Sequence, residues 1–331
     1  LGENLPIRIF QVVPGGLPVD AKFSNSKSLT LSQEKTAVKH PHVLGLGEVF
    51  SWTKVTLRES KTMKSISSML ECDCIINGHT AGASDKKLNA YVSSGILSCH
   101  EPINFDQVLE RLRLGMWIMI REGSIRRDLN EIIPRVLSHG TYLNRLMFCS
   151  DGLDPLDITK FGHIDHCIRE SIRHGLKPID AVTIASKNNF DYYNMGKDLG
   201  GIAPGKLADI LIFDDLKSFK PTKVFVGGKL VISNGRFVIP IKKKPIPSWI
   251  KKTVKLKNFS KNDFLIKSKK KNVLANTIFM QSEIITKLGS SELQSIDGNV
   301  PASLNSDVWK VAAFDRIHGT NRHSIGFLEN F

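Results

Sequence analysis

From the N-terminus to about Gly200 the chain repeats one pattern: a short apolar run, then a longer segment with apolar residues at three- and four-residue spacing. The short runs are Val43–Gly47, Asp73–Asn77, Gly95–Ser98, Trp117–Ile120 and Leu143–Cys149. Between them lie Lys86–Ser93, Phe105–Leu114 and Leu129–Ser138, with Val108, Leu109, Leu112 and Met116 showing the helical spacing. Continuous apolar strands, buried on both faces, pair in parallel, and a parallel pair needs a helical crossover. The alternation therefore narrows the fold to an open doubly wound α/β sheet or a (β/α)8 TIM barrel. No GxGxxG or GxxxxGKS follows a strand, which weakens the nucleotide-binding open sheet.

After Gly200 the pattern changes. Asp209–Phe213, Lys223–Val226 and Lys229–Ile232 read as strands joined by Gly-Gly and Asn-Gly turns, an antiparallel unit. A boundary near residue 198 follows, giving residues 1–198 to the barrel and 199–331 to a β-rich domain. Within the latter, a helical run is expected near Glu283–Leu288 and a last β-like region around Val308–Phe327.

The 331 residues carry a formal net charge of +14, but its distribution is uneven. Residues 241–272 hold twelve lysines and one acid, Asp263, so this insertion accounts for +11 of it. The insertion has no Arg for bidentate contacts and few aromatics for stacking, which argues against a nucleic-acid partner and for a solvated lysine-rich segment. Five cysteines (Cys72, Cys74, Cys99, Cys149, Cys167) form no CxxC pair and read as reduced thiols. No run approaches the ~18 apolar residues of a membrane span, so a cytoplasmic protein is expected.

In a barrel, reacting groups gather where strands end. Val43–Gly47 exits into Glu48, Asp73–Asn77 into Gly78-His79, Gly95–Ser98 into Cys99-His100-Glu101, and Leu146–Cys149 into Ser150-Asp151. A lone His after a strand is more often a capping residue, and a lone Asp more often an N-cap. Helix capping gives no reason for two imidazoles and two carboxylates to share four strand ends, whereas a site for Zn, Mn or Fe(II) does. His40-Pro41-His42 precedes its strand and reads as a surface loop. His163-Ile164-Asp165-His166 lacks the acid of an HExxH pair and reads as a helix start near the site mouth. No GxSxG is present, so the expected nucleophile is metal-activated water.

At these residues the sequence resembles the adenine deaminase family of the amidohydrolase superfamily. The resemblance rests on VLGLGEV (43–49), INGHTAGASDKKLNAYVSSGILSCHE (76–101), LRLGMWIMIREGS (112–124), FCSDG (148–152), GHIDHCIRESIRHGL (162–176) and LGGIAPGKLADILIFDDL (199–216), with a fainter echo in 311–331. It implies a metal-dependent TIM-barrel hydrolase with a β-rich second domain, converting adenine to hypoxanthine and ammonia in purine salvage. It further implies a dinuclear Mn or Fe centre, with Zn as the other option, and a homo-oligomer. By position, Glu48, His79, His100 and Asp151 match metal ligands of the family, Asp151 also handles protons, and Glu101 is a second candidate acid near substrate.

The family's first-strand H-x-H pair would precede Leu1, so the resemblance implies a barrel whose first strands lie upstream and weak metal binding by the chain as it stands. The chain departs from the family in reading VFSWTK after Glu48, Cys99 before His100 and Gly152 after Asp151. These departures leave two other readings open: a diverged amidohydrolase with another amine or amide substrate, and a non-catalytic relative whose lysine-rich segment binds an anionic partner.

Overall fold

The computed structural model describes residues 5–16, 28–216, 218–241, 245–256, 259–281, 285–302 and 307–331. Lys242, Lys243, Lys244 and Lys257 of the lysine-rich insertion, and Glu283, lie outside them. The chain forms two compact units, Leu1–Lys242 and Lys243–Phe331.

In the first unit the elements run β1 (Gln11–Val13), α1 (Leu31–Ala37), β2 (Val43–Val49), α2 (Trp52–Thr56), α3 (Ser60–Leu70), β3 (Ile75–Gly78), α4 (Asp85–Val92), β4 (Ser98–Cys99) and α5 (Phe105–Arg113). They continue with β5 (Trp117–Arg121), α6 (Leu129–His139), β6 (Leu146–Cys149), α7 (Pro155–Phe161), α8 (Ile164–Arg173), α9 (Pro178–Ala185) and α10 (Lys187–Tyr192). Strands β1-β2-β3 and β4-β5-β6 form two parallel sheets in chain order, which is the TIM-barrel pattern. The sheets meet at Gly78, whose N–H donates to Ser98 Oγ at 3.1 Å. Only glycine allows this approach, because a Cβ on residue 78 would lie 2.3 Å from the Ser98 carbonyl oxygen.

The helices start and stop where local chemistry directs. Thr30 caps α1 in a capping box with Gln33, Asn104 caps α5 by accepting from Gln107 N–H, and Asp154 caps α7 ahead of Pro155. Gly140 ends α6 in the left-handed conformation, at φ 69°. Apolar faces of α5, α6, α8 and α9 pack on β4–β6 through Val108, Ile132, Ile168 and Ile184, and α3 and α4 cover β1–β3 through Ile66 and Tyr91. Each such side chain contributes about 1.5–3 kcal/mol on full burial.

The antiparallel sheet read from the sequence is present, as β7 (Ile210–Phe213), β8 (Pro221–Val226), β9 (Lys229–Ser233) and β10 (Arg236–Phe237) in spatial order β10-β9-β8-β7. It belongs to the first compact unit, so the units divide at Lys242/Lys243, beyond the boundary expected at 198. Two contacts explain this: Phe219 is buried in the core of β4–β6, and Asp209 accepts from Arg8 Nε at 2.6 Å.

The second unit holds β11 (Asn272–Met280), β12 (Thr286–Gln294), β13 (Val308–Phe314) and β14 (His323–Glu329), in order β12-β11-β14-β13. The helical run expected near Glu283–Leu288 is thereby corrected from Thr286 onward. That segment is strand because nine residues of β12 pair in register with β11, and ladder pairing overrides local helical spacing. Lys267, Lys269, Lys270 and Lys271 line a surface cavity of about 630 Å³ with Ser268, Ser295 and Gly298.

Candidate metal centre and its acids

The strand exits come together. Glu48 lies within β2 on its exposed side, His79 follows β3, and His100 follows β4. His79 Nδ1 is 3.3 Å and His100 Nε2 3.1 Å from the same oxygen, Glu48 Oε2. The two rings meet edge to face with centroids 5.3 Å apart. Tyr91 fixes this corner: its hydroxyl donates to the Val49 carbonyl at 2.6 Å and accepts from His79 N–H at 3.1 Å.

Glu101 reaches the same two imidazoles. Its Oε1 lies 3.3 Å from His100 Nε2 and 3.5 Å from His79 Nδ1, with only 5% of the side chain exposed. Asp151 follows β6 with a left-handed backbone at φ 44°, and its Oδ2 is 3.9 Å from His100 Nε2. Two overlapping donor groups result, Glu48–His79–His100 and His100–Glu101–Asp151, each with ligand atoms within 4.8 Å of one another. Mixed imidazole and carboxylate donors at this spacing suit a first-row divalent cation.

Electrostatics follow from the contacts. The His100 and His79 imidazoles hold the Glu48 carboxyl far below the ordinary carboxylate range. Burial works against charge on His79, but the Glu48 hydrogen bond and the nearby Glu101 outweigh it and raise its pKa. Cys99, next to His100, is buried and free; its Sγ is 2.8 Å from Thr80 Oγ1 and accepts from Glu101 N–H at 3.3 Å. All five cysteines are free thiols.

Three charged residues of this neighbourhood were not among the sequence candidates: Arg121, Arg126 and Asp128. Arg121, the last residue of β5, donates through Nη1 to Glu101 Oε1 at 2.9 Å and to Asp151 Oδ2, and through Nη2 to Glu101 Oε2 at 3.3 Å. Arg126 donates to Glu101 Oε2 at 3.1 Å and to Asp128 Oδ2 at 2.7 Å. A signal was available: Trp117–Ile120 is a strand of the same kind, and its exit is Arg121-Glu122.

The other histidine groupings lie elsewhere. His40 and His42 sit in an exposed turn before β2. His163 is the N-cap residue of α8, without a side-chain cap bond, and His166 packs between Glu122 and Glu170, with ring nitrogens 3.6 Å from a carboxylate oxygen of each. Glu122 and His166 line a groove of about 670 Å³ with Arg127, Phe161 and Arg169. Among the described residues no helix is long and apolar enough to cross a membrane.

The chain is 57% identical over 331 residues to an adenine deaminase of Cenarchaeum symbiosum (strain A), covering all of this chain and 54% of that protein. It is 33% identical over 327 residues to an adenine deaminase of Kosmotoga olearia, covering 98% of this chain and 56% of that protein. The chain thus spans about half the length of the curated relatives it matches. Among solved structures, it is similar to a beta-aspartyl dipeptidase from Fervidobacterium islandicum AW-1, 17% identical with TM-score 0.48, covering 72% of this chain and 67% of that one. The amidohydrolase family model matches residues 33–231, more than half of the sequence, and the chain belongs to the amidohydrolase family.

Proposed function

We propose that this chain carries the catalytic residues of an adenine deaminase, releasing ammonia from adenine and leaving hypoxanthine. The observation that carries the reading is a pair of donor groups sharing His100, Glu48–His79–His100 and His100–Glu101–Asp151, in a chain 57% identical to an adenine deaminase. Glu48, His79, His100 and Asp151 would hold the divalent metal, Mn or Fe in kind, with Zn as the other option. A bound divalent ion supplies the acidity that makes water nucleophilic near neutral pH.

The chain's own residues then manage protons and position. Water adds at C6 of adenine, Asp151 takes the proton it sheds, and the same carboxyl returns it to N6 as the C6–N6 bond breaks and ammonia leaves. Asp151 suits this role because it is 44% exposed at the strand exit, whereas Glu101 is enclosed and gripped by two arginines. Glu101 therefore serves as a braced carboxyl group beside the two imidazoles.

The test is ammonia release by the full-length protein, supplied with Mn²⁺, across adenine, guanine, cytosine, adenosine and simple cyclic amides. Adenine is expected to exceed every other compound by at least about 100-fold in kcat/KM, a discrimination of the size that hydrogen-bonded recognition of a substrate delivers. Faster turnover of a cyclic amide would replace this reading with that of a diverged amidohydrolase. Absence of turnover on the whole panel would favour the non-catalytic reading.

A further inference from the structure

Arg121 touches two of the three acids of the cluster, Glu101 and Asp151. Its side chain is 6% exposed, and Nη1 is shared between Glu101 Oε1 and Asp151 Oδ2. Among the described residues, no other side chain donates a hydrogen bond to the Asp151 carboxylate; the nearest ring nitrogen, His100 Nε2, is 3.9 Å away. Asp151 also follows its strand in the left-handed conformation, which among non-glycine residues Asp and Asn adopt most readily.

The guanidinium is itself oriented by these acids. Its Nε is buried without a hydrogen bond, Asp128 Oδ2 lying 3.7 Å off, so the two Nη groups set its direction. Glu101 in turn is braced from the other side by Arg126, which contacts Oε2 at 3.1 Å and the Glu101 carbonyl at 3.4 Å. Asp128, Arg126, Glu101, Arg121 and Asp151 thus form one chain of alternating charge across the ends of three neighbouring strands. A planar fork can bridge two carboxylates at once, and an ammonium on a flexible stem holds only one of them well.

We propose that Arg121 is a positioning residue. By holding Glu101 and Asp151 with one guanidinium, it aims the Asp151 carboxylate at the imidazole cluster and fixes the distance between the two acids. The proposal rests on the reading of the site given above, and its effect on metal binding can be measured without adenine.

The experiment compares the full-length parent with Arg121→Gln, Arg121→Lys and Arg121→Gln combined with Glu101→Gln. Mn²⁺ affinity is measured by calorimetry, and kcat and KM for adenine are measured separately. Arg121→Gln should weaken Mn²⁺ binding by about 10–100-fold and lower kcat by a similar factor with KM within about threefold, the size typical of groups that orient metal ligands. Arg121→Lys should recover part of both losses. It also keeps the proposal testable if Arg121→Gln, which leaves two buried acids without their cation, fails to fold. In the double variant the charge is rebalanced but Asp151 stays unguided, so Mn²⁺ affinity should remain low. Full recovery there, or Mn²⁺ affinity and kcat within twofold of the parent in Arg121→Gln, would overturn the proposal. A parent that binds Mn²⁺ but leaves adenine untouched would instead sink the proposed function, with the affinity comparison still deciding the role of Arg121.

Discussion

Arg121 and Glu122 are neighbours at the end of one strand, yet they enter two very different environments. Arg121 faces the cluster, where Arg121 and Arg126 alternate with Glu101, Asp128 and Asp151 at contacts of 3.7 Å or less. Glu122 faces α8, where His166 and then Glu170 stand before it at 3.6 Å spacings and its own Oε2 has no hydrogen bond. Both residues are buried. The consequence differs because burial penalises an ionised group only to the extent that no opposite charge answers it. On the Glu122 side burial prevails and pushes its carboxyl up to about 7, and burial likewise lowers the pKa of His166. A close gathering of His and acids is thus no guide to function by itself. What separates the two regions is the convergence of ligand atoms on a common point, which the Glu48–His79–His100 group has and the α8 group does not have among the described residues.

The contrast can be attacked at four points. Asp151→Asn should abolish proton transfer and lower kcat for ammonia release by roughly 10³-fold or more, while His166→Ala stays within about threefold of the parent. Steady-state kinetics checks both, and equal losses would erase the distinction. Gly78→Ala drives a Cβ to 2.3 Å from the Ser98 carbonyl, so β3 and β4 should part and carry His79 away from His100. A stability loss of about 2–3 kcal/mol in urea unfolding and weaker Mn²⁺ binding are expected together.

Glu122 gives the pH signature. Its folded-state carboxyl is raised from about 4.5 to about 7, chiefly by burial, so between those values the folded chain holds a proton that the unfolded chain has released. Stability is therefore expected to fall as pH rises through this window. Glu122→Gln should flatten that slope, gaining about 1 kcal/mol at pH 8 and little at pH 4, a value reduced for the water that reaches the groove. Chemical denaturation at the two pH values checks the sign. The smallest effect is expected at the half-exposed Arg8–Asp209 pair, where Arg8→Ala should cost no more than about 1 kcal/mol and lose that in 1 M salt.

Much of this was legible in the sequence. The runs leading to Glu48, His79 and Asp151 read as strands from their apolar residues, and the polar residues at or near their ends gave the candidates, although Glu48 lies within β2 and not beyond it. Strand β4 was harder, since only Ser98–Cys99 pairs within it and the rest of Gly95–Ser98 is connection. Arg121, Arg126 and Asp128 were not read because charged residues after a strand look like surface, and their mutual neutralisation depends on three strand ends meeting in space. The segment after Thr286 misled for a related reason: its spacing fits a helix, but nine ladder pairs with β11 decide its conformation. The lysine-rich insertion dominated the charge count, yet belongs to a different compact unit from the cluster except for its first residues.

The account turns on whether the strand-end residues hold a cation in common. A crystal structure of the full-length protein with Mn²⁺, using anomalous diffraction to locate the ion, tests this most directly. The account predicts Mn²⁺ within about 2.0–2.4 Å of donor atoms from Glu48, His79, His100 or Asp151, with at least three of the four engaged. Mn²⁺ bound instead between Glu122, His166 and Glu170, with the strand-end cluster left without an ion, would contradict it.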